Sequence, residues 1–366
     1  MSIKLSLNPK KKNEIVILSE NRPGFGGFGT RAFKIYNYLK ETYEVKLIYL
    51  NYDGINETYD DSNIIFINTM NKRFHYSYLN KYSKFDKKFH GLLINLLKSH
   101  LDKETIIITI TPYTIKLIVT FFEEHEKIIY YCGSLKIENE NLDNIYEISK
   151  ENFRLHFDCD KYITKSKLLA NGYLSKYYLQ QFTENKIEIF YPYKFLSQIE
   201  EYNYDRTNDL IFIVNKISRS EKNFDLVYDI YKSLPNLKKI IIGQDSTKIK
   251  NLKNTKCYEF IENENINEYL NNSKICLIPS KFDVFPNLFV ESLQNYCIPI
   301  ISCNVGTAKL NDHLNYKYVC DFNIENWINT IENLKKSYPL DGKFFVDIYN
   351  ELLKSNCNIH DFFNNI

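Results

Sequence analysis

The chain has 366 residues, of which 44% are hydrophobic and 25% charged, with a formal net charge of +2. That length and apolar content suffice for two ordinary domains with a substantial core in each, and the near-neutral balance supplies no whole-molecule field for nucleic acid. No apolar stretch approaches the roughly 20 residues that span a bilayer, and the opening "MSIKLSLNPKKKNE" lacks the apolar centre and small-residue cleavage site of a signal peptide. A cytoplasmic location is therefore expected. The eight cysteines are scattered and never spaced C-x-x-C. They read as buried thiols rather than zinc ligands or disulfide partners.

Taken in chain order, short β-rich runs alternate with helical stretches. The first block holds "EIVILSE" (14–20), "EVKLIYLN" (44–51), "NIIFINT" (63–69), "TIIITIT" (105–111), "KIIYYCG" (127–133) and "DKYITKS" (160–166). Most are apolar on both faces, as buried parallel strands are. The pattern then lapses over the polar segment 191–209, which reads as a linker. It restarts with "DLIFIVNK" (209–216), "LKKIIIGQ" (237–244), "KCYEFIE" (256–262), "KICLIPS" (274–280) and "IPIISCN" (298–304). Two consecutive doubly wound α/β domains are predicted. The first covers 1–195 and the second 196–340, with a helical segment over 341–366 that packs back on the first.

Between the first strand and the helical "TRAFKIYNYLK", glycines at 24, 26 and 29 spell G-x-G-x-x-G. In a dinucleotide fingerprint the first glycine follows the strand almost directly, and an acidic residue ends the second strand. Here "SENRP" intervenes, and the second strand ends in Asn51 with Asp53 displaced into the following loop. A glycine-rich loop remains, whose amides can approach an anion at a helix start. A permissive surface turn is the plainer alternative.

The segment "SKFDVFPNLFVESLQNYCIPIISCNVGT" (280–307) resembles the donor-site signature of retaining glycosyltransferases of the GT-B fold, in particular glycosyltransferase family 4. Asp283, Phe285, Pro286, Asn287, Glu291, Pro299 and Gly306 fit that pattern. "IVNKISRSEKNFDLVYDIYKSLPNLKKIIIGQD" (213–245) resembles the family's basic segment, with Lys216 and Lys222 at its two basic positions. "FIENENINEYLNNSKICLIPS" supplies a third match and carries Ile261. The first half matches more loosely, through "GGFGTRAFKIYNYLK" and "CDKYITKSKLLANGYL".

The resemblance implies a GT-B fold, two Rossmann-like domains facing a cleft. It also implies transfer of a sugar from a UDP- or GDP-sugar to an unidentified acceptor, with retention and with neither metal nor other cofactor. Lys216, Lys222 and Asp283 would be catalytic, and Gly26, Gly27, Phe28, Gly29, Ile261, Phe285, Pro286, Asn287, Leu288 and Glu291 would bind the donor. The chemistry suits these residue types. A departing diphosphate gathers negative charge that lysines stabilise electrostatically, and helix-start amides at Asn287 and Leu288 suit phosphate. Glu291 can accept from both ribose hydroxyls, and Asp283 from hydroxyls of the transferred sugar.

Several positions depart from the family pattern. Asp283 stands where Glu is usual, Lys216 where Arg is commoner, and Tyr296 where a glycine is usual. Cys132, Gly133 and Ser134 occupy the place of a histidine found after this strand in many members. A catalytically weak scaffold that binds a sugar nucleotide or a partner is thus the alternative function, and a nicotinamide oxidoreductase would explain the first block alone. Asp158 and Asp160 mimic a D-x-D metal site but lead into a strand-like run, where a surface acid is ordinary. Residues 71–101 mix basic and aromatic side chains and offer a peripheral membrane contact, with a solvated amphipathic helix as the plainer expectation.

Overall fold

The computed structural model describes residues 14–20, 26–51, 60–68, 87–132, 136–137, 153–154, 163–194, 205–310 and 313–366. Its strands arise where isoleucine, valine and leucine run together without alternation. β1 (Glu14–Ser19), β2 (Glu44–Asn51), β3 (Ile64–Asn68), β4 (Ile106–Thr109) and β5 (Ile128–Cys132) are five of these. Every residue of β4 and β5 is buried, as strands covered on both faces must be. Between β5 and the rest of the sheet, β6 (Lys136–Ile137) and β7 (Phe153–Arg154) pair separately as a short antiparallel ribbon. β8 (Lys167–Ala170) and β9 (Ile187–Ile189) complete a seven-stranded parallel sheet of order β3-β2-β1-β4-β5-β8-β9.

One predicted strand is corrected here. The run 160–166 is not the strand: Ile163–Ser166 form a turn, residues 160–162 lie outside the described ones, and pairing with β5 begins at Lys167. The apolar triplet Leu168, Leu169 and Ala170 fits between β5 and β9, whereas "YIT" is interrupted by polar neighbours.

The second sheet holds β10 (Asn208–Lys216), β11 (Lys239–Gln244), β12 (Thr255–Tyr258), β13 (Ser273–Ile278), β14 (Ile298–Ser302) and β15 (Val319–Cys320). Its order is β12-β11-β10-β13-β14-β15, again parallel throughout. Each sheet reverses direction once, between β1 and β4 in the first and between β10 and β13 in the second. Such reversals leave a crevice at the carboxyl ends of the two strands, where ligands of open α/β sheets bind.

Arg206, buried at the entry to β10, donates from Nη1 to the carbonyls of Leu270 (3.1 Å) and Ser273 (2.7 Å), and from Nη2 to that of Asn295 (2.8 Å). One guanidinium thereby satisfies three buried acceptors that would otherwise be costly to leave unpaired.

The chain's C-terminal helices tie the two sheets together. α8 (Ile324–Ser337) buries Trp327, Ile331 and Leu334, and α9 (Gly342–Leu353) packs on α7 (Asn287–Gln294), with Tyr349 Oη accepting from Gln294 Nε2 at 3.1 Å. The backbone then crosses back. Cys357 N donates to Ile189 O at 2.8 Å, and α10 (Ile359–Asn364) buries Ile359 and Phe363 in the core of the first sheet with Ile15, Ile17, Ile35 and Tyr36. The Phe363 ring lies 5.2 Å from that of Tyr43. Near the linker, Asn356 acts as a surrogate strand: its Oδ1 accepts from Tyr191 N at 2.6 Å and its Nδ2 donates to Tyr191 O at 3.0 Å.

Candidate functional site

The site begins where β10 ends. The β10–β11 register slips between Ile213 and Lys216. Gly243 lies against the slip, since a Cβ there would stand 2.5 Å from the Val214 carbonyl oxygen. An irregularity of this kind re-aims the residue that follows it, and Lys216 ends the strand exposed. Its charge acts on Asp245, whose carboxyl is held below the usual range first by the Lys248 hydrogen bond and secondarily by the lysine charges.

After β10, residues Ser220–Lys222 make one 3-10 turn, and Asn223 adopts φ 54° before α5 (Phe224–Ser233) starts. Asparagine tolerates this left-handed conformation better than most residues, which gives the Glu-Lys-Asn order a conformational reason. The turn is fastened to the segment after β13 by Lys281 N donating to Glu221 O at 2.8 Å. Lys222 Nζ then donates to Asp283 Oδ2 at 2.6 Å, with the two side chains 23% and 19% exposed.

Asp283 is held on every side. Its Oδ1 accepts from Phe285 N at 3.2 Å, its backbone N–H reaches Asn304 O at 3.3 Å, and its carbonyl accepts from Gly306 N at 2.8 Å. Gly306 is required at that point, since a Cβ would fall 2.0 Å from Val284 O and 3.0 Å from Leu174 Cβ. Gly306→Ala should therefore cost about 1–3 kcal/mol of stability, as overpacking typically does. A melting temperature equal to that of the wild type would show that the contact relaxes without cost. In the same turn, Thr307 Oγ1 is buried without a hydrogen-bond partner.

Beyond Asp283, Phe285 stacks on Tyr191 with ring centroids 5.0 Å apart and approaches Gly172 of the first domain. α7 follows, starting at Asn287 with Pro286 before it. Asn287 and Leu288 thus occupy the first turn, where backbone amides lack intrahelical acceptors. Phe289, Val290 and Leu293 bury one face of this helix. Glu291, off that face, forms an ion pair of 2.8 Å with Lys34 Nζ. Lys34 lies on α1 (Gly26–Leu39) of the first domain and also donates to Tyr193 Oη at 3.2 Å. Burial disfavours its charge, but Tyr193 and Glu291 outweigh that effect and hold its pKa above the ordinary lysine value.

The structure therefore brings Lys222, Asp283, Phe285, the start of α7 and Gly306 together, and joins Glu291 to the first domain. Lys216 stands at the exposed strand end, and Ile261 follows β12, packed against the core beside the exposed Phe260. Gly26, Gly27, Phe28 and Gly29 correct the predicted loop: all four form the first turn of α1 itself. Helix formation extends to Gly26 because the apolar stripe through Ala32, Ile35, Tyr36 and Leu39 anchors the helix on the sheet.

Two charged residues were not singled out by sequence reasoning. Lys34 sits 257 positions from Glu291, and no spacing rule connects them. Glu20, directly after β1, is buried at 7% exposure with Oε1 lacking a partner. Its place at a strand's carboxyl end was the one available signal.

Cys132 is the buried last residue of β5, and residues 133–135 lie outside the described ones. So do Asp158, Asp160 and residues 71–86 of the basic aromatic segment. Its remainder includes α2 (Lys87–Lys98), which buries Leu93, Ile94 and Leu97. Among the described residues, no three His, Cys, Asp or Glu side chains are grouped to hold a metal ion, and no helix is long and apolar enough to cross a membrane.

Residues 196–344 match the sequence profile of the family described as Glycosyl transferases group 1. No curated protein matches the chain in sequence. Among solved structures, sucrose-phosphate synthase from Thermosynechococcus elongatus superposes with a TM-score of 0.69 at 10% identity, over 97% of each chain. WaaG, a glycosyltransferase involved in lipopolysaccharide biosynthesis, gives 0.63 at 13% identity, over 96% of this chain and 98% of its own. HepE from Anabaena, in complex with UDP and glucose, gives 0.61 at 12% identity, over 97% of this chain and 100% of its own. At these identities the likeness establishes the fold alone.

Proposed function

Because residues 196–344 belong to the glycosyl transferases group 1 family within a GT-B fold, we propose that the chain transfers a sugar from a nucleoside diphosphate donor to an acceptor lying against the first domain. The observation that carries this proposal is the Lys222–Asp283 pair beside the start of α7. A leaving diphosphate set there meets an ammonium held in place by a carboxylate, together with free amides at the positive end of a helix. Charge developing on the departing oxygens is stabilised without reorganisation. Glu291 serves the ribose, and UDP- and GDP-sugars are the donors to try first. The UDP in the HepE complex supports uracil as one candidate base. Retention of configuration is part of the same proposal.

Phosphate charge handled by lysines and amides needs no divalent ion. Activity should survive strong chelation, and Asp158→Asn with Asp160→Asn should leave turnover unchanged. Loss of activity on chelation, restored by manganese or magnesium, would instead place a metal on the donor phosphates.

A non-catalytic scaffold is favoured by one observation: β5 ends in buried Cys132, and no histidine follows through Leu135. Release of nucleoside diphosphate from a panel of UDP- and GDP-sugars separates the two. Turnover of one donor supports the transferase, whereas saturable binding of a donor with no release supports the scaffold.

A further inference from the structure

The first sheet reverses its order between β1 and β4, so the crevice at their carboxyl ends is its natural binding position. Glu20 directly follows β1, and Thr111 stands two residues beyond β4, where Ile110 N donates to Leu18 O at 3.2 Å. Thr111 lies near enough to the Glu20 carboxyl to lower its pKa against the effect of burial. Both residues are buried, at 7% and 1% exposure.

Thr111 caps α3 (Pro112–Phe121) without help from Glu20. Its Oγ1 accepts from Thr114 N at 3.2 Å, and Thr114 Oγ1 accepts from Thr111 N at 3.1 Å. The helix end is closed by that reciprocal pair, so capping does not account for a buried carboxyl beside it. Glu20 Oε1 has no hydrogen-bond partner, a costly condition for a buried polar atom. We propose that Glu20 and Thr111 form a subsite for a hydroxyl of a neutral, polyol-type acceptor, with Glu20 Oε1 as its direct partner. This assignment rests on the glycosyltransferase function proposed above.

Burial pushes the Glu20 pKa up to about 8, against a lowering by the nearby Thr111, so the side chain is a neutral acid at pH 7. A neutral acid presents one donor and an acceptor oxygen, the same pair that a sugar hydroxyl presents in return. It has no charge with which to select a cationic acceptor. An amide in its place keeps both functions; an alkyl chain keeps neither.

The test is saturation-transfer NMR of glucose, galactose, mannose and glycerol with the full chain, in the presence of UDP and of GDP, alongside calorimetric titration of both nucleotides. The wild type should bind at least one of these four probes. Glu20→Leu and Glu20→Ala should each weaken that binding by roughly fivefold or more, the size of one neutral hydrogen bond. Glu20→Gln should stay within about twofold, and nucleotide affinity should be the same in all four proteins. Glu20→Leu fills the buried volume with an apolar side chain, so it keeps the comparison available where Glu20→Ala fails to fold. Equal probe binding by the wild type and either apolar variant overturns the subsite, as does binding of no probe to a wild type that binds nucleotide. Failure of the wild type to bind either nucleotide is a different result, and it overturns the donor site of the second domain.

Discussion

Replacing Lys222 by alanine is expected to lower turnover by on the order of a hundredfold or more, the usual consequence of losing a preorganised charge partner for a developing anion. The expectation rests on how Lys222 is held. Its side chain is three-quarters buried, with the ammonium 2.6 Å from Asp283 Oδ2. The 3-10 turn that carries it is fastened to the next segment through Glu221 O and Lys281 N. A lysine so placed loses little conformational freedom when a phosphate arrives. The same pair sets the behaviour of Asp283. In Asp283→Asn the turn still positions the ammonium while the competing carboxylate charge is gone, so affinity for the free nucleoside diphosphate should hold or rise while transfer falls. Nucleotide titration and turnover measured on both variants check this. A parallel loss of affinity and turnover in Asp283→Asn would mean that the carboxylate touches the nucleotide itself.

Glu291→Gln should weaken nucleoside diphosphate binding by about 1–3 kcal/mol, since an amide accepts poorly from two ribose hydroxyls. That corresponds to roughly 5- to 150-fold in dissociation constant. Lys34 supplies the control, because it shares the carboxylate at 2.8 Å. A partly exposed pair of this kind contributes only about 0–1 kcal/mol to stability. If ribose is the physiological partner of Glu291, Lys34→Ala removes a competitor and nucleotide affinity holds or rises. If Glu291 serves only to bridge the domains, both substitutions lower the melting temperature alike and neither changes nucleotide affinity.

Much of the architecture was legible because buried parallel strands announce themselves. "IVIL", "IIIT" and "KIIIGQ" carry unbroken apolar runs that only a doubly covered sheet can use. β8 and β9 were harder. Lys167–Ala170 and Ile187–Ile189 are four and three residues long and lie among polar or aromatic neighbours, and their partners, β5 and each other, are chosen by tertiary pairing. The glycines at 26, 27 and 29 read as a loop from local propensity, but the apolar stripe of α1 holds them in a helical turn.

At the site, the positions of Asp283 and Glu291 follow from their spacing. Asp283 lies in the loop before α7 and Glu291 in the second turn of that helix, so the two carboxylates serve different ends of one ligand. Their partners could not be read. Lys222 is 61 positions from Asp283 and Lys34 is 257 from Glu291, and both pairings exist only because separate elements are brought together. The left-handed conformation of Tyr296, at φ 54° between α7 and β14, also emerges only in three dimensions. It gives the physical reason for the glycine usual at that place, since glycine adopts this φ without steric cost.

Isothermal titration of UDP and of GDP into the wild-type chain and into a Lys216→Ala, Lys222→Ala double variant tests the proposed donor site most directly. One of the two nucleotides should bind the wild type saturably and lose roughly a hundredfold or more in affinity in the double variant, as removal of two charge-assisted contacts to a diphosphate requires. Equal affinity in the two proteins, or no binding of either nucleotide to the wild type, would contradict a diphosphate site built on these lysines.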